Sequence, residues 1–208
     1  MPPVTRKAKV TRATRRDEIA GRLFEIVERL LEEGSAFSEI SVEQLITEAG
    51  IARSTFYVYF EDKGALMVDL MDRATQDIGA AASDWFELPA TATRDDLRKA
   101  LSRLARGYRQ HGRMLAAIVE AAAYDPRVRD EWGAVLQRRF QDMNNSFVPQ
   151  QKAGAIRADV DVASVTPWLA WMFDRGFYHL VGQGGALPKW ALEGATSVVW
   201  QTLYEGTR

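Results

Sequence analysis

The segment from residue 40 to residue 63 constrains the fold more than any other part of the chain. Ser41 stands where a side-chain oxygen can cap a helix, and apolar residues follow it at helical spacing. Gly50 comes next, where a left-handed residue can end that helix and turn the chain. A further short run alternates Phe56 and Phe60 with polar side chains. The pattern predicts two short helices joined by a tight turn, the second with a buried aromatic face and an outward polar face.

The polar residues around this second helix are candidates for contact with DNA. Small hydroxyls reach bases or phosphates, tyrosine hydroxyls reach phosphates, and the arginine can bond guanine through two hydrogen bonds. An ordinary helical hairpin would not need so many polar groups in so few residues. A lysine in the first turn of the next helix opposes the helix dipole, which an external phosphate would explain. The candidates are Ser41, for which capping is an equally good explanation, and Arg53, Ser54, Thr55, Tyr57, Tyr59 and Lys63.

The stretch Ala49-Gly50-Ile51-Ala52-Arg53-Ser54-Thr55-Phe56-Tyr57-Val58-Tyr59-Phe60, followed by Lys63 and Leu66, resembles the helix-turn-helix signature of the TetR family of bacterial transcriptional regulators. The resemblance covers about residues 15–70, and the ending Leu203-Tyr204-Glu205-Gly206 is similar to the mycobacterial ethionamide-regulator subgroup. It departs from the family at Ala52, where a capping serine is frequent, and at Gly64, where a better helix former is usual. The resemblance implies that a small effector binds among the later helices. It also implies that Arg53, Ser54, Thr55, Tyr57, Tyr59 and Lys63 touch DNA.

The rest of the chain carries helical periodicity without strand signals or repeats, which predicts an all-α protein of about nine helices. We expect a flexible basic arm over 1–14, a helix-turn-helix DNA-binding domain over 15–61, and a helical domain for ligand binding and dimerisation over 62–208. The whole chain has a formal net charge of −1, but residues 1–16 contain no acid. They are either a solvated tail or an arm that contacts DNA phosphates. Their basic residues are Arg6, Lys7, Lys9, Arg12, Arg15 and Arg16.

Several classes of protein are excluded or disfavoured by what the sequence lacks. There is no cysteine, so neither a disulfide framework nor a thiolate site can form. No apolar run approaches the ~18 residues of a membrane span, and no signal peptide is recognisable, which favours a cytoplasmic protein without a membrane partner. The histidines His111 and His179 are far apart, and no phosphate-binding loop or nucleophile elbow is present. We therefore expect no enzyme activity, cofactor or metal.

Aromatic and methionine side chains of the second half are candidates for an apolar ligand pocket. Such side chains leave irregular space when crowded between helices, although plain core is the commoner explanation of a stripe like that on the helix around Phe140. The effector would be small and apolar or aromatic. The candidate lining residues are Tyr108, Met114, Phe140, Met143, Phe147, Trp168, Trp171, Phe177 and Trp200.

The last two helices are candidates for a homodimer interface, because two helix-turn-helix units that read adjacent major grooves require two-fold symmetry. Packing within the subunit is the alternative for the same apolar faces. We expect a ligand-responsive repressor that binds double-stranded operator DNA as a dimer and is released by its effector. The competing hypotheses are a helical small-molecule-binding protein or enzyme with a merely structural amino-terminal hairpin, and a DNA-binding protein without an effector. The predicted interface residues are Val165, Leu169, Met172 and Gly176, with Leu192, Thr196, Val199 and Leu203.

Overall fold

The computed structural model describes residues 11–181 and 185–206. Over these residues the chain forms nine α-helices and no strand, which confirms the all-α prediction. No helix in these ranges is long and apolar enough to cross a membrane. The helices are α1 (Arg12–Glu32), α2 (Val42–Ala49), α3 (Arg53–Tyr59), α4 (Lys63–Phe86), α5 (Arg94–Gln110), α6 (Gly112–Tyr124), α7 (Pro126–Lys152), α8 (Val162–Val181) and α9 (Lys189–Val199), which continues into a π-helical turn (Trp200–Tyr204).

The two short helices and their turn form as the sequence predicts. The Ser41 hydroxyl accepts a hydrogen bond from the Gln44 backbone N–H at 3.0 Å and so caps α2. Gly50 ends α2 with φ 61° and ψ 37°, a left-handed conformation that costs glycine little. Phe56 and Phe60 are buried and join α3 to the core. The local signals in this segment are therefore sufficient to set its structure.

The first helix begins earlier than the sequence suggested. Thr11 caps α1 by accepting from the Thr14 N–H at 3.1 Å, so residues 12–14 are helical and do not belong to an arm. Arg12 donates to the Val58 carbonyl at 3.3 Å, which uses part of its hydrogen-bonding capacity within the protein. The remaining residues predicted for the arm, Arg6, Lys7 and Lys9 among them, lie outside the described residues.

The start of α4 is held by the corner between α6 and α7. Asp62 caps α4 by accepting from the Ala65 N–H at 2.9 Å, and Arg127 in the first turn of α7 donates to Asp62 at 2.8 Å. A side chain on Gly64 would overlap the Asp125 carboxylate, so glycine at this position allows the close approach without displacing Asp125. Glycine has a low helix propensity, and its presence here is explained by the contact between the start of α4 and the α6–α7 corner.

A buried histidine joins three segments behind this junction. The ring nitrogens of His111, between α5 and α6, lie 2.7 Å from the Glu28 carboxylate of α1 and 3.1 Å from the Asp77 carboxylate of α4. Burial alone would lower the pKa of His111, but the hydrogen bonds and charges of Glu28 and Asp77 outweigh it and raise the pKa. His111 thus links the first helix to the later ones.

This arrangement makes the stability contributed by His111 depend on pH. Since the pKa is higher in the folded than in the unfolded chain, the contribution is fully present below the ordinary value of 6.5 and is lost as pH rises through the raised pKa. We expect His111→Gln to reduce the free energy of unfolding by roughly 1–3 kcal/mol at pH 6. The loss should be smaller at pH 9. Urea unfolding at both pH values tests this, with exposed His179→Gln as the control. A loss that is the same at both pH values would contradict it.

Candidate DNA-binding surface and ligand cavity

The outer face of α3 carries most of the predicted DNA-contacting residues. Phe56 is buried and fixes the rotation of the helix, which turns Arg53, Ser54 and Tyr57 outward. The Arg53 side chain is 61% exposed, and Tyr57 is 45% exposed. Thr55 is half-buried. Tyr59, also half-buried, packs partly on the core, and Ser41 lies exposed at the start of α2.

Arg53 is oriented by two neighbours on this surface. It forms an ion pair with Glu43 of α2, and its guanidinium carbon lies 5.5 Å from the centre of the Tyr57 ring. Exposed pairs of this kind contribute about 0–1 kcal/mol, so Arg53 can leave Glu43 at little cost. Contact between Arg53 and a guanine remains a prediction, and it requires the Arg53 guanidinium to leave Glu43.

Lys63 has a different role from the one its sequence position suggested. Its ammonium donates to the backbone carbonyls of Phe37, Ser38 and Ile40 at 2.7, 3.1 and 2.9 Å. An ammonium has three donors, and all three are used here. Burial lowers the pKa of Lys63, which agrees with an inward position. The carbonyls of the loop between α1 and α2 therefore account for a cation at this position. The prediction that the Lys63 ammonium is free to bind an external phosphate is wrong for this conformation.

A cavity lies between α4, α5, α7 and α8. Its free volume is about 50 Å³, enough for a few water molecules. Its walls are mostly apolar, and the indole N–H of Trp85, in the α4 wall, donates to the Tyr204 hydroxyl at 3.2 Å. The lining residues are Ile78, Ala82, Trp85, Phe86, Leu104, Tyr108, Leu136, Arg139, Phe140, Met143, Ala170, Phe173 and Asp174.

Six of the nine predicted pocket residues lie at or directly behind this cavity. Tyr108, Phe140 and Met143 line it. Phe177 lies behind the lining, with its ring centre 5.7 Å from that of Tyr108. Two more are adjacent to lining residues: the Phe147 ring centre lies 5.3 Å from that of Trp85, and the partly exposed Trp171 ring centre lies 6.3 Å from that of Phe140.

The other three predicted pocket residues lie elsewhere. Met114 is buried, but it belongs to α6, which is not one of the four helices around the cavity. Trp168 is 78% exposed, because Leu169 and Phe173 occupy the inner face of α8. Trp200 lies beside a separate small cleft formed with Leu88 and other residues. These three residues do not line this cavity, because apolar composition does not reveal the rotation or position of a helix.

The sequence interpretation missed two charged residues of the lining, Arg139 and Asp174. A signal was present for the first, because steps of three and four residues from Leu136 to Met143 place Arg139 on the apolar face of α7. A methyl group on Gly79 of α4 would overlap the Arg139 guanidinium, so the two lie in close contact. Burial lowers the pKa of Arg139 and raises the pKa values of Asp174 and Tyr108.

The predicted dimer faces also need correction. Leu169, Thr196, Val199 and Leu203 are all buried within the subunit, so they are unavailable to a partner. The exposed apolar residues of α8 and α9 lie on other faces of these helices, where they recur at intervals of three or eight residues. They are Trp168, Trp171, Trp190 and Val198.

Known proteins resemble this chain over most of its length. It is 31% identical over 181 residues to the HTH-type transcriptional regulator EthR of Mycobacterium tuberculosis, which covers 86% of this chain and 83% of the relative. Among solved structures, Salmonella enterica GusR matches 94% of this chain and 99% of its own at a TM-score of 0.69 and 17% identity. A TetR transcription regulator from Haloarcula marismortui covers 90% of this chain and 99% of its own chain, with a TM-score of 0.68 and 15% sequence identity. No family model matches the sequence.

The chain places a helix-turn-helix ahead of a helical bundle and shares 31% identity with an HTH-type transcriptional regulator, so it is itself a helical transcriptional regulator. The chain belongs to the TetR family of transcriptional regulators. Members of this family bind operator DNA, typically as dimers, and respond to small-molecule effectors. This disfavours the alternative of an enzyme with a merely structural hairpin.

The exposed hydroxyl of Tyr57 provides a test of the DNA-binding surface. We expect Tyr57→Phe to weaken binding to an operator selected from random DNA by about 1–3 kcal/mol, because a direct polar contact is lost while the ring remains. Tyr124→Phe is the matched control, since Tyr124 is 57% exposed at the end of α6. Fluorescence anisotropy measures both affinities. If the two variants bind like the wild type, Tyr57 does not contact DNA.

Proposed function

We propose that this protein is a repressor that binds operator DNA as a homodimer and is released when a small apolar or aromatic effector enters the cavity. The proposed DNA contacts come from Ser41, Arg53, Ser54, Thr55, Tyr57 and Tyr59. We propose residues up to 61 as the DNA-binding domain and the helices from α4 onward as the effector and dimerisation domain.

The observation that carries this proposal is the position of α4. Its first residue, Lys63, donates to the loop before α2, and Asp62 in the turn after α3 caps it. Its last turns supply Ile78, Ala82, Trp85 and Phe86 to the cavity wall. One rigid helix therefore touches both sites, and a displacement at the cavity end also moves the DNA-binding end.

The small volume of the cavity supports an allosteric response. About 50 Å³ is far less than the ~300–1,000 Å³ of typical ligand pockets. An effector must therefore displace side chains such as Phe140 and Met143 or shift the surrounding helices. A ligand that binds a wider conformation in preference to this one shifts the equilibrium towards it, and weakens operator binding by the same differential affinity.

We propose that the dimer forms through the outer faces of α8 and α9. Trp168 and Trp190 are 78% and 70% exposed, and a monomer would leave both indoles in water. Arg175 lies over the Trp171 ring at 5.8 Å, at the edge of this surface. A two-fold axis through these faces would pair two α3 helices, which must lie roughly 34 Å apart to read successive major grooves.

Filling the cavity tests the link between effector and DNA. We expect Met143→Trp to occupy effector space at an overpacking cost of roughly 1–3 kcal/mol. The variant should either bind operator without responding to effectors or release operator constitutively. Operator titrations with and without compounds that release the wild type measure this, and thermal unfolding excludes damage to the fold. Gln137→Trp, on the exposed face of α7, is the control. A stable Met143→Trp variant with a wild-type response would contradict the proposed site.

A charge on the outer face of α9 tests the dimer. We expect Val198→Glu to yield monomers and to weaken operator binding at least tenfold, because an unpaired charge is costly to bury across a two-fold axis. Light scattering gives the oligomeric state, with Tyr124→Glu as an exposed control on α6. A Val198→Glu protein that remains dimeric would move the interface elsewhere. The same substitution at buried Val199 would damage the subunit itself.

A further inference from the structure

Three polar side chains from three helices meet the wall of the cavity without a partner. They are the Tyr108 hydroxyl of α5, the Arg139 guanidinium of α7 and the Asp174 carboxylate of α8. Within residues 11–181 and 185–206, none of these groups makes a hydrogen bond or an ion pair. The neighbouring Arg138, by contrast, points outward and pairs with Glu131 at 2.8 Å. The inward-facing arginine is the one left unpaired.

Leaving these groups unpaired has a cost that the apolar wall increases. Their pKa values are shifted in the directions that burial dictates, and the three groups influence one another's charge. A polar group that is shielded from water without a hydrogen bond is destabilising. Gly79 leaves room for the Arg139 guanidinium on the α4 side, which keeps it at the wall. The cavity therefore has one polar end within an apolar lining.

The two charges restrict the ligand that can satisfy them. A guanidinium only donates hydrogen bonds, and a carboxylate only accepts them. Arg139 and Asp174 form no ion pair with each other, so each can contact a ligand group at this end of the cavity. A carboxylate would satisfy Arg139 but repel Asp174, whereas an ammonium would do the reverse. A neutral group that both donates and accepts satisfies both residues.

We propose that the effector is a neutral molecule with an aromatic or aliphatic body and one terminal group that both donates and accepts hydrogen bonds, such as a carboxamide or a hydroxyl. Arg139 donates to its acceptor atom, Asp174 accepts from its donor, and the Tyr108 hydroxyl lies beside them. The apolar body lies against Trp85, Phe140 and neighbouring side chains. This inference rests on the proposed effector site and specifies the chemistry of its ligand.

Four probes of similar size test the proposal on the full-length protein by isothermal titration calorimetry. They are 3-phenylpropanamide, 3-phenylpropanoate, 3-phenylpropan-1-amine and butylbenzene. We expect the amide to bind at least tenfold more tightly than each of the other three. Equal binding of amide and butylbenzene would overturn polar recognition while leaving an apolar site. Tighter binding of the carboxylate or the amine would also overturn it, since the ligand would then be charged.

Two variants separate recognition from a structural role by changing charge preference in opposite directions. Arg139→Met should abolish the tenfold advantage of the amide over butylbenzene and raise the relative affinity for the amine, because Asp174 is left unopposed. Asp174→Asn keeps the size of the side chain and should raise the relative affinity for the carboxylate. Arg138→Met is the matched control on the outer face of α7. Thermal unfolding confirms that each protein is folded.

The outcomes distinguish this inference from the proposed function beneath it. Charge preferences that stay unchanged in folded Arg139→Met and Asp174→Asn proteins would overturn the inference, while binding of butylbenzene would still support an effector site. If none of the four probes binds the wild type, the inference fails. If Met143→Trp then responds to effectors as the wild type does, the cavity is not the effector site at all.

Discussion

The close contact at the start of α4 is the constraint on which the rest of the structure depends. Three carbonyls of the loop between α1 and α2 converge on the Lys63 ammonium, and the Asp62 carboxylate receives Arg127 from α7. The absence of a side chain at Gly64 lets the α6–α7 corner approach. The three-helix unit is too small to bury much apolar surface by itself, so these contacts set how it sits on the larger bundle.

A second set of contacts reinforces this junction from the other side. The Ser38 hydroxyl donates to Glu120 of α6 at 2.6 Å, and His111 bridges α1 and α4 through Glu28 and Asp77. Both sets combine charge with hydrogen bonds, which have narrow distance and angle requirements. Such hydrogen bonds therefore form in one relative position of the helices and are lost when the helices shift. Under the proposed function, a change at the cavity end of α4 would be transmitted as a shift between discrete arrangements rather than absorbed gradually.

The two ends of α4 have different environments at the junction and at the cavity. Near its start α4 is fixed by satisfied polar contacts, whereas at its far end it borders a small cavity with unpaired polar groups. Arg139 and Asp174 offer hydrogen-bonding groups that a suitable ligand can engage, and the apolar lining supplies the area that such a ligand buries. Under the proposed function, an effector binds most tightly to the conformation that opens this end, which is the requirement for coupling to DNA.

Signals that act over a few residues were sufficient to determine the helix-turn-helix from the sequence. Ser41, Gly50 and Asp62 act on backbone groups within four residues, and the aromatic spacing of α3 sets its inward face. Only the tertiary structure decided the partner of Lys63, because its acceptors lie 23 to 26 residues away in the chain. It alone also decided that Trp168 faces outward and Leu169 inward. Along α8 apolar residues occupy every face, so periodicity carries no information on rotation, and packing against the other helices sets it.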